Sequence, residues 1–340
     1  MKLVLYPTLI SLLLLLFTLS LVYGAVYIPT SSVIDILLGK EIERAAWQSI
    51  VLQSRLPQAI TAMLAGASLG VSGLLLQTFF RNPLAGPSIL GVSDGANLGV
   101  ALIMLFSVNL EHLNRYAASG YAVTILAAMS GAGIILSIIL YFSFKVRSNV
   151  MLLIIGIMVG YLTSSLISIL NYYAAADKLR NYVIWGLGSF SSVTLEQLPY
   201  FSACTLGGLV FAIMLIKPLN ALLLGENYAA NLGVRINLVR IQILFCTGFL
   251  TAATTAFCGP ISFIGLAVPH IARMTLGSSD HKALLPVVLL SGAAVALICN
   301  LLTILPGTDI TLPLNAVTSL IGAPIIIYII TNRRNIHFFN

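Results

Sequence analysis

Ionisable side chains are scarce in this sequence. Asp, Glu, Lys and Arg make up 8% of its 340 residues, against about 25% in a soluble globular chain. So few polar groups cannot cover a soluble catalytic domain. No polar linker or low-complexity tract sets a second unit apart, so residues 1–340 read as a single transmembrane domain. Other absences narrow the chemistry. No GxxxxGK[ST] loop is present to cradle a nucleotide, and no HExxH or GxSxG element to support hydrolysis. His112, His270, His281 and His337 lack metal-ligand spacing, and no CxxC pair occurs. Cys246 and Cys258 stand about 18 Å apart if they share a helix, too far for a disulfide. With Cys204 and Cys299 they read as small packing residues. Arg-rich spans are missing, which excludes voltage sensing, and ionisable residues are nearly absent from mid-span positions, which disfavours a proton- or ion-coupled carrier. No internal repeat is visible, against carriers built from inverted repeats. Energy for transport must then come from another chain, or the protein is a passive channel. A membrane enzyme acting on lipid or quinone would need a polar cluster at membrane depth, and none is legible.

What the sequence has is apolar length. Hydrophobic residues make up 59% of it, in runs that approach the roughly 20 residues a helix needs to cross the hydrocarbon core. Lipid leaves bare backbone unsolvated, so spans are helices or closed barrels. These runs are too long and continuous for alternating barrel strands. The fold class expected is all-α, a polytopic bundle of about ten transmembrane helices. The runs cover residues 3–26, 57–80, 89–108, 120–144, 150–172, 199–216, 238–257, 261–276, 284–305 and 312–330. The first is long for a cleaved signal sequence and reads as a span.

Charge sets the orientation. With both termini on one side, that side carries Lys2, Arg81, Lys145, Arg147, Lys217, Arg235, Arg240, Arg273, Lys282, Arg333 and Arg334. The other side carries Lys40, Arg44, Arg55, Arg115, Lys178 and Arg180, with most of the acids. The richer side is expected to be cytoplasmic, so both termini are expected there. The net charge of +7 is thus a topology signal. Its cations are dispersed, which excludes a nucleic-acid footprint.

Two loops on the outer side, 30–53 and 174–197, carry Trp47 and Trp185, and the second is long enough for a short interfacial helix. Gly66-x-x-x-Gly70 and Gly156-x-x-x-Gly160 are small-residue patterns that let helix backbones approach. Pro57 suits a first helical turn, Asn82-Pro83 turns the chain, and Arg81 anchors the inner end. Arg55 at the outer mouth reads as an anchor or as a docking cation.

Together these parts carry a resemblance. RLPQAITAMLAGASLGVSGLLLQTFFRNPLAGPSILGVSDGA at 55–96, LGENYAANLGV at 224–234, FIGLAVPHIAR at 263–273 followed by Asp280-His281, and VTSLIGAP at 317–324 stand in order. They resemble the signature of FecCD-type permeases, the membrane subunits of ABC importers for iron-siderophores, haem and cobalamin. The resemblance implies a permease dimer in the bacterial cytoplasmic membrane, two separate ATPase subunits that bind ATP and Mg, and a substrate-binding protein outside. It implies no enzyme activity and no cofactor on this chain. Gly225, Glu226, Tyr228, Ala229, Leu232, Gly233 and Val234 would form the ATPase-coupling loop, two short helices turning at Gly233. Arg55 would pair with a carboxylate of the binding protein, as in the similar cobalamin permease. The second docking Arg of that permease falls near Ile304, where no cation stands. The family's Glu-x-Pro-x-Gly is Thr311-Leu312-Pro313-Leu314-Asn315 here, without its Glu. Lys40, Arg44 and Lys178 are candidate replacements. Ser68, Ser72 and Gln77 are expected to line a weakly polar path at the dimer interface. The cargo expected is an iron-siderophore, with cobalamin or haem as the alternative.

Overall fold

A computed structural model describes residues 2–40, 44–106, 117–146, 148–304 and 311–331. The expected basic residues Arg115, Arg147, Arg333 and Arg334 lie outside them, so the carboxy-terminal end of the orientation argument does too. Every regular element among the described residues is helical, and one isolated bridge pairs Ile304 with Thr311. Helix α1 (Lys2–Val22) is followed by two short helices, α2 (Thr30–Leu37) and α3 (Ala45–Ser49). A π-helical stretch, Ile50–Arg55, leads into α4 (Leu56–Phe80). Then come α5 (Val92–Phe106), α6 (Ala117–Lys145), α7 (Asn149–Tyr173) and α8 (Ala176–Gly186). The chain continues through α9 (Leu198–Met214), α10 (Ile216–Leu223), α11 (Glu226–Asn231) and α12 (Ile236–Cys258). The last described helices are α13 (Ile264–Leu276), α14 (His281–Leu302) and α15 (Leu314–Thr331).

Six helices are long and apolar enough to cross a membrane, and α9 with α10 makes a seventh if their 50° bend is counted within one span. The shorter apolar helices Val92–Leu105, Ile264–Leu276 and Leu314–Tyr328 occupy the other three expected positions. The ten runs read from hydropathy are therefore all helices. Helix α8 is the short helix expected in the second outer loop.

Helix α4 lies at the centre, with 83% of its apolar window buried, against 17% for α1 and 22% for α7. Its small residues explain that position. A β-carbon on Gly66 would overlap the Gly292 carbonyl of α14, and one on Gly73 would overlap the Gly265 carbonyl of α13. Gly70 faces Val268 and Val288. In lipid, where burying apolar surface between helices gains little, such close backbone approach supplies the dispersion contacts that hold helices together.

Two irregular stretches interrupt the bundle. Arg81 leaves α4 in a left-handed conformation (φ 48°), and Asn82 Oδ1 then accepts the Leu84 N–H at 2.9 Å, a local turn. The chain reaches α5 through a 3-10 turn at Pro87–Leu90. The second stretch, 259–263, ends on Phe263 at φ 66°, a strained setting for an aromatic residue. The Phe263 ring packs over Gly322 of α15. Pro87 sits where a β-carbon of Gly265 would be, 2.6 Å from it, so the two stretches meet beside α4. Helices α5 and α13 thus start inside the bundle. At 1.5 Å per residue each is about 20 Å long, short of the roughly 30 Å hydrocarbon core.

Candidate functional site

At one end of the bundle, α10 and α11 form a compact polar-apolar unit. Leu219, Leu222 and Ala229 are buried beneath it, while Leu224, Tyr228 and Leu232 are 64%, 53% and 60% exposed. Exposed together, they present three large apolar side chains to the outside of the unit. The chain turns at Gly225 (φ 115°), between α10 and α11, and at Gly233 (φ 84°), between α11 and α12; of the two short helices expected within 225–234, one, α11, forms there. Gly233 closes α11. Its N–H bonds to Ala230 O at 2.9 Å and the Val234 N–H to Ala229 O at 3.0 Å, the paired bonds of a Schellman cap. The left-handed conformation this cap requires (φ 84°) is why a glycine stands there.

The unit is tied to the bundle by side chains. Arg81 donates to Leu222 O at 3.1 Å. Asn220 of α10 accepts the His281 N–H at 2.8 Å and donates to Asp280 at 2.7 Å. His281 reaches Thr78 of α4 at 2.8 Å. Glu226 accepts from Asn149, the first residue of α7, at 2.7 Å.

The opposite end holds an open cavity of about 670 Å³ between α1, α4, α14 and residues 184–192 and 311–314. Arg55 borders it but is only 6% exposed. Its guanidinium donates to Leu21 O at 2.9 Å, Val22 O at 2.7 Å and Val26 O. These carbonyls end α1 and begin the next loop, so Arg55 caps α1, and docking through it would require breaking those bonds. Gln58 and Asn300 bond at 2.8 Å in the same wall, near Ile304. Of the candidate replacements, Lys40 pairs with Asp35 at 2.8 Å and Arg44 lies over the Trp47 ring at 4.9 Å. Lys178 lies on α8.

Asn315 has the clearest role among the residues that depart from the family pattern. It donates to Gly186 O at 3.2 Å and Pro260 O at 2.6 Å and accepts the Ser262 N–H at 3.0 Å. One side chain therefore fastens the end of α8 and the 259–263 stretch to the start of α15. A glycine has no such amide. Thr311 lines the cavity.

The path residues are not where the sequence suggests. Ser68, Ser72 and Gln77 are fully buried within the chain's own bundle, because α4 is its central helix. Gln77 accepts from Arg273 at 2.5 Å and donates to Leu266 O at 3.1 Å, a structural link between α4 and α13. In this arrangement these side chains border no open path. A pocket of about 210 Å³ does lie where the two irregular stretches meet, lined by Ser88, Ser93, Thr251 and Ser262 among others. Non-helical backbone at membrane depth is tolerated where it is buried in protein or lines such a cavity.

Sequence reading also passed over Asp94, an acid in the first turn of α5 whose carboxylate lies against Gly160 of α7. Burial, and after it the charge of Asp94, raises the pKa of Tyr182 on α8 to about 12. An acid inside an apolar run was the available signal. The four cysteines are unpaired. Among the described residues no three His, Cys, Asp or Glu side chains gather as a metal site.

A helical membrane bundle with two interrupted spans and an exposed apolar unit tied to one end is the architecture of a permease subunit. Comparison with known proteins agrees. Residues 12–332 match the FecCD transport family, and the chain belongs to that family. It is 34% identical over 290 residues to a vitamin B12 import system permease protein, BtuC, of Klebsiella pneumoniae, covering 85% of each chain. The BtuC of Salmonella typhi is 35% identical over 286 residues, covering 84% of this chain and 85% of that one. Among solved structures, an inward-facing conformation of a metal-chelate type ABC transporter superposes with a TM-score of 0.82 at 30% identity, covering 97% of this chain and 99% of that one. The chain is thus a multi-pass ABC importer permease.

Proposed function

We propose that this chain moves a bulky metal chelate of the iron-siderophore class across the bacterial cytoplasmic membrane, powered by ATP hydrolysed on two separate subunits. The observation that carries the reading is the α10–α11 unit. An outward apolar face of Leu224, Tyr228 and Leu232, anchored by Arg81, Asn220 and Glu226, suits a segment that seats in a partner's cleft and transmits force. Apolar side chains anchored in a pocket dominate such interfaces. Two copies of this chain, both termini cytoplasmic, would form the path between them. A substrate-binding protein would deliver cargo to the end that holds Arg55, Lys40 and Arg44.

Cobalamin is the second reading, favoured by the B12 permeases among the relatives. Against it stand the occupied guanidinium of Arg55 and the apolar Ile304, where the docking cations of the similar cobalamin permease would be. Uptake into proteoliposomes containing the permease, its ATPases and its binding protein tests the mechanism. Uptake should require ATP and stop when the ATPases are omitted. Uptake that continues without them would mean a channel or an ion-coupled carrier. The ligand retained by the purified binding protein, read by mass spectrometry, separates ferric siderophore from cobalamin.

A further inference from the structure

The α10–α11 unit has two kinds of tether, and they lead to different places. Arg81 and Asn220 tie α10 to α4 and α14, whose apolar windows are 83% and 67% buried. Those helices are locked by packing on both sides. Glu226, the first residue of α11, goes elsewhere. It accepts from Asn149 Nδ2 at 2.7 Å, and Asn149 is the first residue of α7. Only 22% of the α7 window is buried; one glycine face packs on residues 89–94, and the end of the helix is held by Asn149.

Asn149 is a three-way junction. The same amide nitrogen donates to Phe79 O at 3.2 Å, at the end of α4. Its Oδ1 accepts from Arg240 Nη2 of α12 at 3.2 Å. Arg240 is 5% exposed. It donates to Ser143 O at 3.3 Å and Val146 O at 2.9 Å, where α6 ends, and its guanidinium lies 5.7 Å from the Phe79 ring centre. The buried cation thus fixes the amide's orientation: oxygen toward Arg240, nitrogen toward Glu226. A carboxamide both donates and accepts at one site, whereas a carboxylate accepts only and an alkyl group does neither.

We infer that Asn149, oriented by Arg240, is a positioning residue that couples movement of α11 to α7 through Glu226. The inference rests on α10–α11 being the ATPase-coupling segment. When the partner displaces α11, the charge-assisted bond to Asn149 pulls the end of α7, while α10 stays tied to the packed core. The route runs through discrete hydrogen bonds, so it is tested by breaking them singly and together.

The experiment uses the complete transporter in proteoliposomes and reads cargo taken up per ATP hydrolysed. Asn149→Asp keeps size and the Arg240 contact but opposes Glu226 with like charge. Glu226→Ala removes the acceptor, and Glu226→Gln restores one. Uptake per ATP should fall about tenfold in N149D and E226A, the equilibrium worth of one charge-assisted hydrogen bond. It should recover in E226Q, and N149A/E226A should be no worse than N149A or E226A alone. An unchanged ratio in N149D and E226A, or effects that multiply in the double variant, would overturn the inference. A second readout is one a merely structural role would not move. Spin labels at exposed Val150 and Leu238 should change separation on ATP addition in the parent protein and not in E226A; equal changes in both would also overturn it. Tyr228→Asp separates the two layers. If it leaves ATPase binding intact, the coupling assignment itself is wrong. If it abolishes binding while N149D is silent, only the Asn149 route is wrong.

Discussion

Replacing Arg55 gives the most decisive test of how the end that holds the 670 Å³ cavity is built. The guanidinium makes three bonds to backbone carbonyls at the end of α1 and is 6% exposed. Hydrogen bonds to charged groups contribute about 1.5–3 kcal/mol each, and a cation at a helix C-terminus adds up to about 2 kcal/mol when partly buried. Two terms oppose that sum. Burying the guanidinium costs solvation, and the adjoining 670 Å³ cavity lets water reach the carbonyls once the side chain is gone. We expect Arg55→Ala to destabilise the chain by about 2–4 kcal/mol, the range for breaking a buried, hydrogen-bonded charge site. Arg55→Glu should be worse, because it sets a carboxylate against three carbonyls and the negative end of the helix dipole. Arg55→Lys should fall between the parent and Ala, since one ammonium cannot reproduce the planar fork. Thermal unfolding in detergent can be followed by thiol labelling, because Cys246, Cys258 and Cys299 are buried in the folded chain. A melting curve for Arg55→Ala that matches the parent, with weakened affinity for the binding protein, would refute the cap. It would return Arg55 to a docking role.

Three further outcomes follow from the same geometry. Gly66→Leu should abolish the monodisperse peak in size-exclusion chromatography, because its side chain meets the Gly292 backbone and Ala296, neither of which can give way. Gly233→Val should cost about 1–3 kcal/mol through its left-handed backbone alone, since nothing lies within 4 Å of a β-carbon there; Gly233→Asn should be milder, and thermal melting ranks the two. Asn315→Gly, which restores the family's residue, should lower stability by about 2–3 kcal/mol for its lost amide bonds, and hydrogen exchange should quicken at Ser262, whose N–H it caps.

How much was legible depends on the range of the physics involved. Apolar runs are local averages over some 20 residues, so hydropathy placed a helix at each of the ten, while only six of them, or seven with α9 and α10 counted as one span, are long enough to cross. The small residues of α4 announced a close-packed helix without naming its partners. The 225–234 segment was legible as a motif because its glycines answer to local backbone angles, at Gly225 as well as at Gly233. Arg55 could not be assigned from its neighbours, since the carbonyls it caps belong to residues 21, 22 and 26, about thirty positions away. Ser68, Ser72 and Gln77 looked like path residues because they are polar in an apolar run. Only the packing shows that α4 is central and that Gln77 is taken up by Arg273.

The sequence by itself determined that this chain lives in a membrane, that its spans are helical and that its family is that of ABC importer permeases. Those follow from composition, run length and ordered motifs, none of which needs a distant contact. The tertiary structure alone decided which polar side chains are shared between helices. Asn149 meeting Glu226 across 77 positions and Asn315 meeting Pro260 across 55 are examples. In a low-dielectric interior each such group must find a partner, and which partner it finds is settled only by how the helices pack.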